Sequence, residues 1–451
     1  MPINSEDRAH AQDLLNFIDA SPSPWHAVQS ITQRLQAQGF VPLQEKLRWK
    51  LEAGCGYYVV RGASLIAFRI GQQPLPDTGL RMIGAHTDSP GLRLKTNAAQ
   101  VSDGVVRLGV EIYGGPILAT FTDRDLSLAG RVNVRTAQDS AQGSTQGFET
   151  RLINFEQPLL RLPNLAIHMN REVNEKGLVL NKQTELPLLF GMADDKRADD
   201  KLSHEKFSGR EQFLKLLADA LKVKASDILT YELAVTDTQA GAFWGAEQEF
   251  IASSQLDNLA SCHAALSALL ATATPAATCI AAFFDHEEVG SESAAGAGGS
   301  FANDVIARIS LCLGLDEEQR HCATAHSFFI SADMAHAYQP NFPNAYEPDH
   351  RVMVNAGPVI KTNASQRYST NADTAARFIT LCERAGVPCQ NYTHRTDLGC
   401  GSTIGPIVAA SLGIASVDVG SPMWAMHSLR ESAGVQDVAY MIKVMKAAFG
   451  G

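Results

Sequence analysis

A chain of 451 residues, 45% apolar and 19% charged, has the composition of a globular protein and not of a disordered or fibrous one. Its length exceeds what one hydrophobic core ordinarily serves, which predicts two domains. With 38 basic against 48 acidic residues the formal net charge is −10, and no basic stripe appears, so nucleic acid is not an expected partner. Met1 to Asp7 is polar and charged with no apolar run behind it, and no stretch approaches the roughly 18 apolar residues of a membrane span. The expectation is a cytoplasmic protein without a membrane partner. Eight cysteines, none in CxxC spacing, point to reduced thiols, with Cys279 and Cys312 read as core because they lie in apolar runs.

In chain order, Ala11, Leu14, Leu15 and Ile18 share one face of a helix over Asp7 to Ala20, and a second helix opens at Pro24 with Val28, Ile31 and Leu35 inward. Strands are predicted at Tyr57 to Val60 and Ser64 to Arg69. Leu80 to Ala85 is apolar except for Arg81 and runs into His86-Thr87-Asp88-Ser89-Pro90, where Pro90 cannot continue a central strand. From about Leu92 to Val134 the pattern alternates, as in Val106, Leu108, Val110 and Ile112, which is the signature of antiparallel sheet; Gly114-Gly115-Pro116 interrupts it. The charge-rich stretch Asp194 to Lys206 reads as a surface loop, followed by a helix over Gly209 to Val223 with Phe213, Leu216, Leu217 and Leu221 aligned. Alternating strand and helix patterns resume near Tyr231. These changes predict an α/β catalytic domain formed by 1–92 and 235–451, with a mostly parallel central sheet flanked by helices. An inserted antiparallel β-rich domain would interrupt it at 93–234.

Several apolar runs end in carboxylates or histidines. Cys279 to Phe284 passes directly into Asp285-His286-Glu287-Glu288, and adjacent glutamates at a strand exit can divide the labour of hydrolysis, one holding a metal and the other taking a proton from water. The run from His326 to Ile330 ends in Ser331-Ala332-Asp333. Ile414 to Val419 leads to Met426-His427, and Asp257 precedes the helix-like Leu259 to Leu270. Singly, each has a plainer explanation: a solvated acidic pair, a helix cap at Asp257, a turn cap at Asp333. Together they sit where open parallel sheets bind ligands, at the carboxyl ends of strands. His86, Asp257, Glu288, Asp333 and His427 offer too many ligands for one tetrahedral ion but suit two ions, with Asp257 as the natural bridge and Asp88 better placed to orient His86 than to ligate. Mixed nitrogen and oxygen donors fit zinc and also admit cobalt or manganese. The residues alone do not decide which of Glu287 and Glu288 is the ligand.

The segments His86 to Pro90, Asp257-Asn258, Asp285 to Ser291, Ser331 to His336 and Met426 to Glu431 resemble, in the same order, the signature segments of the aspartyl aminopeptidase family of dizinc exopeptidases. The resemblance spans nearly the whole chain. It implies two zinc ions per subunit, bridged by Asp257, one held by Glu288 and His427 and the other by His86 and Asp333. Glu287 is then the general base and Asp88 the carboxylate behind His86. Val359 to Tyr368 is similar to the family stretch whose lysine and tyrosine line the substrate pocket. By that likeness Lys361 meets the acidic side chain of a peptide's free amino-terminal residue, beside Tyr368. Leu165 to Arg171 resembles the segment that lends a histidine, here His168, to a neighbouring subunit; otherwise it reads as strand-like. The insert becomes a dimerisation domain in a twelve-subunit homo-oligomer. His286, where asparagine is also found, is not assigned as a ligand.

Competing readings are a related dizinc deacylase or carboxypeptidase, since five ligands do not specify which end of a substrate is cut, and a catalytically idle metal-binding scaffold. The glycines Gly290, Gly296, Gly298 and Gly299 lack the lysine and spacing of a phosphate loop, and Ser300 has no histidine partner by motif.

Overall fold

The computed structural model describes residues 3–136, 147–193 and 205–450. The expected loop at 194–206 therefore lies, up to residue 204, outside the described residues. Among these residues the chain divides into two compact units. The first runs to Ser89 and resumes over Gly241–Met426 and from Arg430; the second is Pro90–Ala240 with His427–Leu429.

The first unit is built on a nine-stranded sheet in the order 41–43, 56–61, 64–69, 278–284, 80–86, 328–332, 415–420, 359–362 and 390–393. Its centre is parallel: Thr278–Phe284, Leu80–His86, Phe328–Ala332 and Ala415–Gly420 pair successively in that sense. Every residue of Thr278–Phe284 is buried, as a strand covered on both faces requires. The period of two then assigns its side chains to two cores. Cys279, Ala281 and Phe283 enter one with helices Ser5–Asp19, Pro24–Ala37, Leu256–Ala271 and Val435–Gly450. Ile280, Ala282 and Phe284 enter the other with helices Phe301–Cys312 and Ile404–Leu412. Cys312 departs from expectation: although three residues after the buried Ile309, it is the last residue of helix Phe301–Cys312 and is exposed where the helix ends.

Register decides what meets at the top of this sheet. Phe284 lies level with His86, and Ser331 with Gly84, so the residues that follow each strand emerge side by side. A smaller five-stranded sheet, 242–244, 250–253, 431–434, 422–424 and 335–336, completes the unit.

The second unit is a six-stranded sheet in the order 148–154, 126–135, 228–237, 91–102, 105–113 and 188–192, with every recorded pairing antiparallel. One face packs on Phe213 and Leu217 of helix Glu205–Leu221 around Leu92, Leu108, Leu128 and Val132. No helix among the described residues is long and apolar enough to cross a membrane.

Gly420 closes strand Ala415–Gly420 where the chain turns past Asp333, and a Cβ there would lie 1.8 Å from the Asp333 carbonyl oxygen. A backbone atom cannot yield as a side chain does. Gly420→Ala is therefore expected to lower the stability of the first unit by about 1–3 kcal/mol, read as a fall in the thermal unfolding midpoint; an unchanged midpoint would show that the crossing tolerates a methyl group.

Candidate metal centre

The centre in the first unit is assembled from strand ends and the turns that follow them. His86 is the last residue of Leu80–His86 and is buried. Its Nε2 lies 3.5 Å from Asp257 Oδ1 and 3.5 Å from Asp333 Oδ1. Its other nitrogen, Nδ1, lies 3.0 Å from the Asp88 carbonyl oxygen and 3.5 Å from Asp88 Oδ1. Ring orientation is thus fixed from behind while Nε2 faces the carboxylates.

Asp88 reaches further. It is fully buried, and its two oxygens accept the backbone N–H groups of Glu287 and Glu288, each at 3.1 Å. One carboxylate therefore ties the exit of Leu80–His86 to the exit of Thr278–Phe284. His286 enters that turn with a left-handed backbone (φ 65°), its ring Nδ1 2.9 Å from Ser293 Oγ and its Nε2 3.5 Å from Asp285 Oδ2.

Asp257 sits at the start of helix Leu256–Ala271, but it and Asn258 depart from helical dihedrals and do not cap it. Its backbone is held on both sides: its N–H donates to Glu431 Oε2 at 3.0 Å, and its carbonyl accepts from Ser89 Oγ at 2.6 Å. Asn258 Nδ2 donates to the Ala332 carbonyl at 2.9 Å, which fastens this helix start to the strand that ends beside Asp333. Cys262 Sγ contacts the His86 carbonyl at 3.0 Å. Sequence reasoning missed these supports. Asn258 and Glu431 stand within the quoted motifs, but spacing carries no sign of what a second-rank residue touches.

Lys361, on strand Val359–Thr362, is buried, with Nζ 3.4 Å from Asp333 Oδ2, 3.1 Å from the Met334 carbonyl and 5.1 Å from the centre of the buried Tyr368 ring. The structure thus brings together His86, Asp88, Asp257, Glu287, Glu288, Asp333, Lys361 and Tyr368. Ligand atoms of His86, Asp257 and Asp333 lie within 4.8 Å of one another, as do those of His86, Glu287 and Glu288.

His427 and His168 belong to the second unit. His427, at φ 69°, places Nδ1 3.2 Å from the Gly115 carbonyl, and its own carbonyl accepts from Ile117 N–H. His168 is exposed in a turn at 167–169, not in a strand; the alternation of Leu165, Ile167 and Met169 has no buried face, and all three are exposed.

Electrostatics agree with a cation site. Burial, reinforced by the neighbouring carboxylates, pushes Glu287 up to about 7 and raises Glu288 well above the ordinary range. Burial also opposes charge on His86, but Asp333 and Asp88 outweigh it and raise its pKa. Asp333 is held below the usual carboxylate range despite burial, by Lys361 and then His86. Five carboxylates share this corner with one ammonium and one imidazole, and bound cations would remove the mutual repulsion that otherwise drives the glutamates toward protonation. Oxygen and imidazole donors without thiolate are the set that zinc accepts.

A family profile described as aminopeptidase I zinc metalloprotease (M18) matches residues 17–449. The chain belongs to the M18 peptidase family. It is accordingly a zinc metalloaminopeptidase. A probable M18 family aminopeptidase 2 from Stutzerimonas stutzeri is 45% identical over 443 residues, covering 97% of each chain. Among solved structures, Ape4 in complex with Nbr1 is 36% identical with a TM-score of 0.93, covering 100% of this chain and 88% of that one. A dodecamer of mApe1 from S. cerevisiae is 26% identical with a TM-score of 0.83, covering 98% of this chain and 96% of that one. The M18 fold is thus the one seen here, a mostly parallel sheet joined to an antiparallel one.

In this M18 aminopeptidase, Asp88→Asn would turn an amide N–H toward one of the two backbone donors at 287 and 288 and weaken the anchor behind His86. About a 10- to 100-fold loss of zinc affinity or of kcat/KM is expected, measured by metal analysis after dialysis and by initial rates. Wild-type values for both would remove Asp88 from the support of the site.

Proposed function

We propose that this M18 enzyme hydrolyses the first peptide bond of substrates with a free amino terminus, prefers Asp or Glu there, and uses two zinc ions. Asp257 would bridge them. Glu288 and His427 would hold one ion, and His86 and Asp333 the other; the place of His427 rests on the likeness of Met426 to Glu431 to the family segment. The observation that carries this reading is the convergence of His86, Asp257 and Asp333 ligand atoms within 4.8 Å, beside the Glu287–Glu288 pair. When bound, the ions supply Lewis-acid polarisation of the scissile carbonyl and make the attacking water more acidic.

The remaining work falls to side chains. Glu287 acts as the general base: its carboxylate accepts a proton from the attacking water and returns it to the departing amine, its proton affinity raised by burial and offset by the cations beside it. Asp88 fixes the backbone of Glu287 and so the direction from which that carboxylate approaches. Lys361 supplies positive charge at the pocket for the amino-terminal side chain, and Tyr368 forms its apolar wall. A net charge of −10 does not oppose an acidic substrate, because screening confines surface charge to about 8–10 Å while Lys361 and the ions act at contact. We further infer a dodecamer, the assembly named for the S. cerevisiae relative, with the second unit making dimer contacts and His168 presented to a neighbouring subunit.

Glu287→Gln keeps the shape of the side chain and removes its proton affinity. With zinc content preserved, turnover is expected to fall by about 10²–10⁴-fold; near-normal turnover would exclude Glu287 as the base. Amino-acetylation of an otherwise good peptide is expected to abolish hydrolysis, as followed by chromatography of the products. Efficient cleavage of the blocked peptide would instead favour a deacylase or carboxypeptidase.

A further inference from the structure

Lys361 is a limited clamp for a carboxylate by itself. Its ammonium is already engaged by the Met334 carbonyl at 3.1 Å and, at longer range, by Asp333 Oδ2 at 3.4 Å, so part of its donor capacity is spent before substrate arrives. A carboxylate presents two oxygens, and recognition of both calls for a second donor nearby.

The neighbouring strand carries one. Val359–Thr362 pairs in parallel with Gln390–Thr393, and Tyr392 is the register partner of Lys361. Both side chains are buried. His394 follows two residues later, and its Nδ1 lies 2.6 Å from the Tyr392 hydroxyl. Burial pushes the Tyr392 phenol up, so it keeps its proton and has one to donate to Nδ1, the arrangement taken here. That choice of tautomer leaves the hydrogen on Nε2. Nε2 is buried and has no hydrogen-bond partner among the described residues, a costly state for a donor and one that an incoming acceptor relieves. The ring centroids of His394 and Tyr392 lie 6.4 Å and 5.9 Å from that of His336, three residues beyond Asp333, so this group borders the same corner as Lys361.

We propose that His394 is a specificity-determining residue of the amino-terminal side-chain pocket, its Nε2–H donating to the carboxylate of a substrate Asp or Glu alongside the Lys361 ammonium while the Tyr392 hydroxyl holds the ring. This rests on the acidic preference proposed above and adds the second donor to it.

The test is kcat/KM on Asp-, Glu-, Ala- and Leu-p-nitroanilides for the zinc-loaded wild type, His394→Phe, His394→Gln, Tyr392→Phe and Lys361→Ala. Losing one charge-assisted hydrogen bond is expected to lower the acidic-to-neutral ratio about tenfold or more in His394→Phe. His394→Gln, which retains an N–H near the Nε2 position, should keep most of the ratio, and Tyr392→Phe should reduce it severalfold. Should His394→Phe fail to fold, the Gln and Tyr392 variants decide: equal ratios in wild type and Tyr392→Phe would overturn the assignment. A collapse of the ratio in Lys361→Ala with none in His394→Phe removes His394 and leaves the pocket. A wild type that does not favour acidic substrates removes the pocket and His394 together.

Discussion

The centre depends on one buried carboxylate that makes no claim on substrate. Asp88 stands between His86 Nδ1 and the N–H groups of Glu287 and Glu288, so a single side chain sets the bearing of an imidazole from one strand and of two carboxylates from the next. A carboxyl with no solvent exposure is tolerable only when its oxygens are matched by polar partners. Two backbone N–H groups and a ring nitrogen meet that condition, and the same contacts carry orientation outward to the groups that face the reaction.

Around Asp88 the sheet concentrates negative charge that water would otherwise disperse. The parallel strands bring Glu287, Glu288 and Asp333 to one corner, the start of helix Leu256–Ala271 adds Asp257, and burial makes each of them costly to ionise without a counter-charge. The raised affinities of Glu287 and Glu288 for protons and the lowered one of Asp333, which alone among these four has Lys361 beside it, express the same imbalance. A site of this kind is poised for cations, which supply the counter-charge that leaves a glutamate ionised as a base. The negative charge of the whole chain plays little part.

Membership of the M18 family and the 0.93 TM-score to Ape4 extend the fold beyond one sequence. The interest of His394 comes from this chain's own contacts: a tyrosine in register with Lys361 and a buried imidazole nitrogen without a partner among the described residues. Supports such as Asn258 on the Ala332 carbonyl and Glu431 on the Asp257 N–H belong to the same class of local fact. Each is a short contact between residues far apart in the chain.

How much of this could be read from residues alone follows from the range of the forces involved. The run Thr278–Phe284 announces a strand covered on both faces, and the switch to Asp285-His286-Glu287-Glu288 marks its end, because burial and period are local properties of a sequence. The helices at Ser5–Asp19 and Pro24–Ala37 are equally plain from their apolar spacing. The same rules mislead where packing is withheld. Leu165, Ile167 and Met169 alternate like a strand yet sit exposed around a turn, and Cys312 shares an apolar run with Ile309 yet is exposed where its helix ends. Sequence determined which residue types stand at the strand exits and hence the kind of chemistry available. Only the tertiary structure decided that Ser331 lies level with Gly84, that Asp88 spans two strands and that Tyr392 stands beside Lys361, because register and hydrogen bonding between distant segments are set by the packing of the whole sheet.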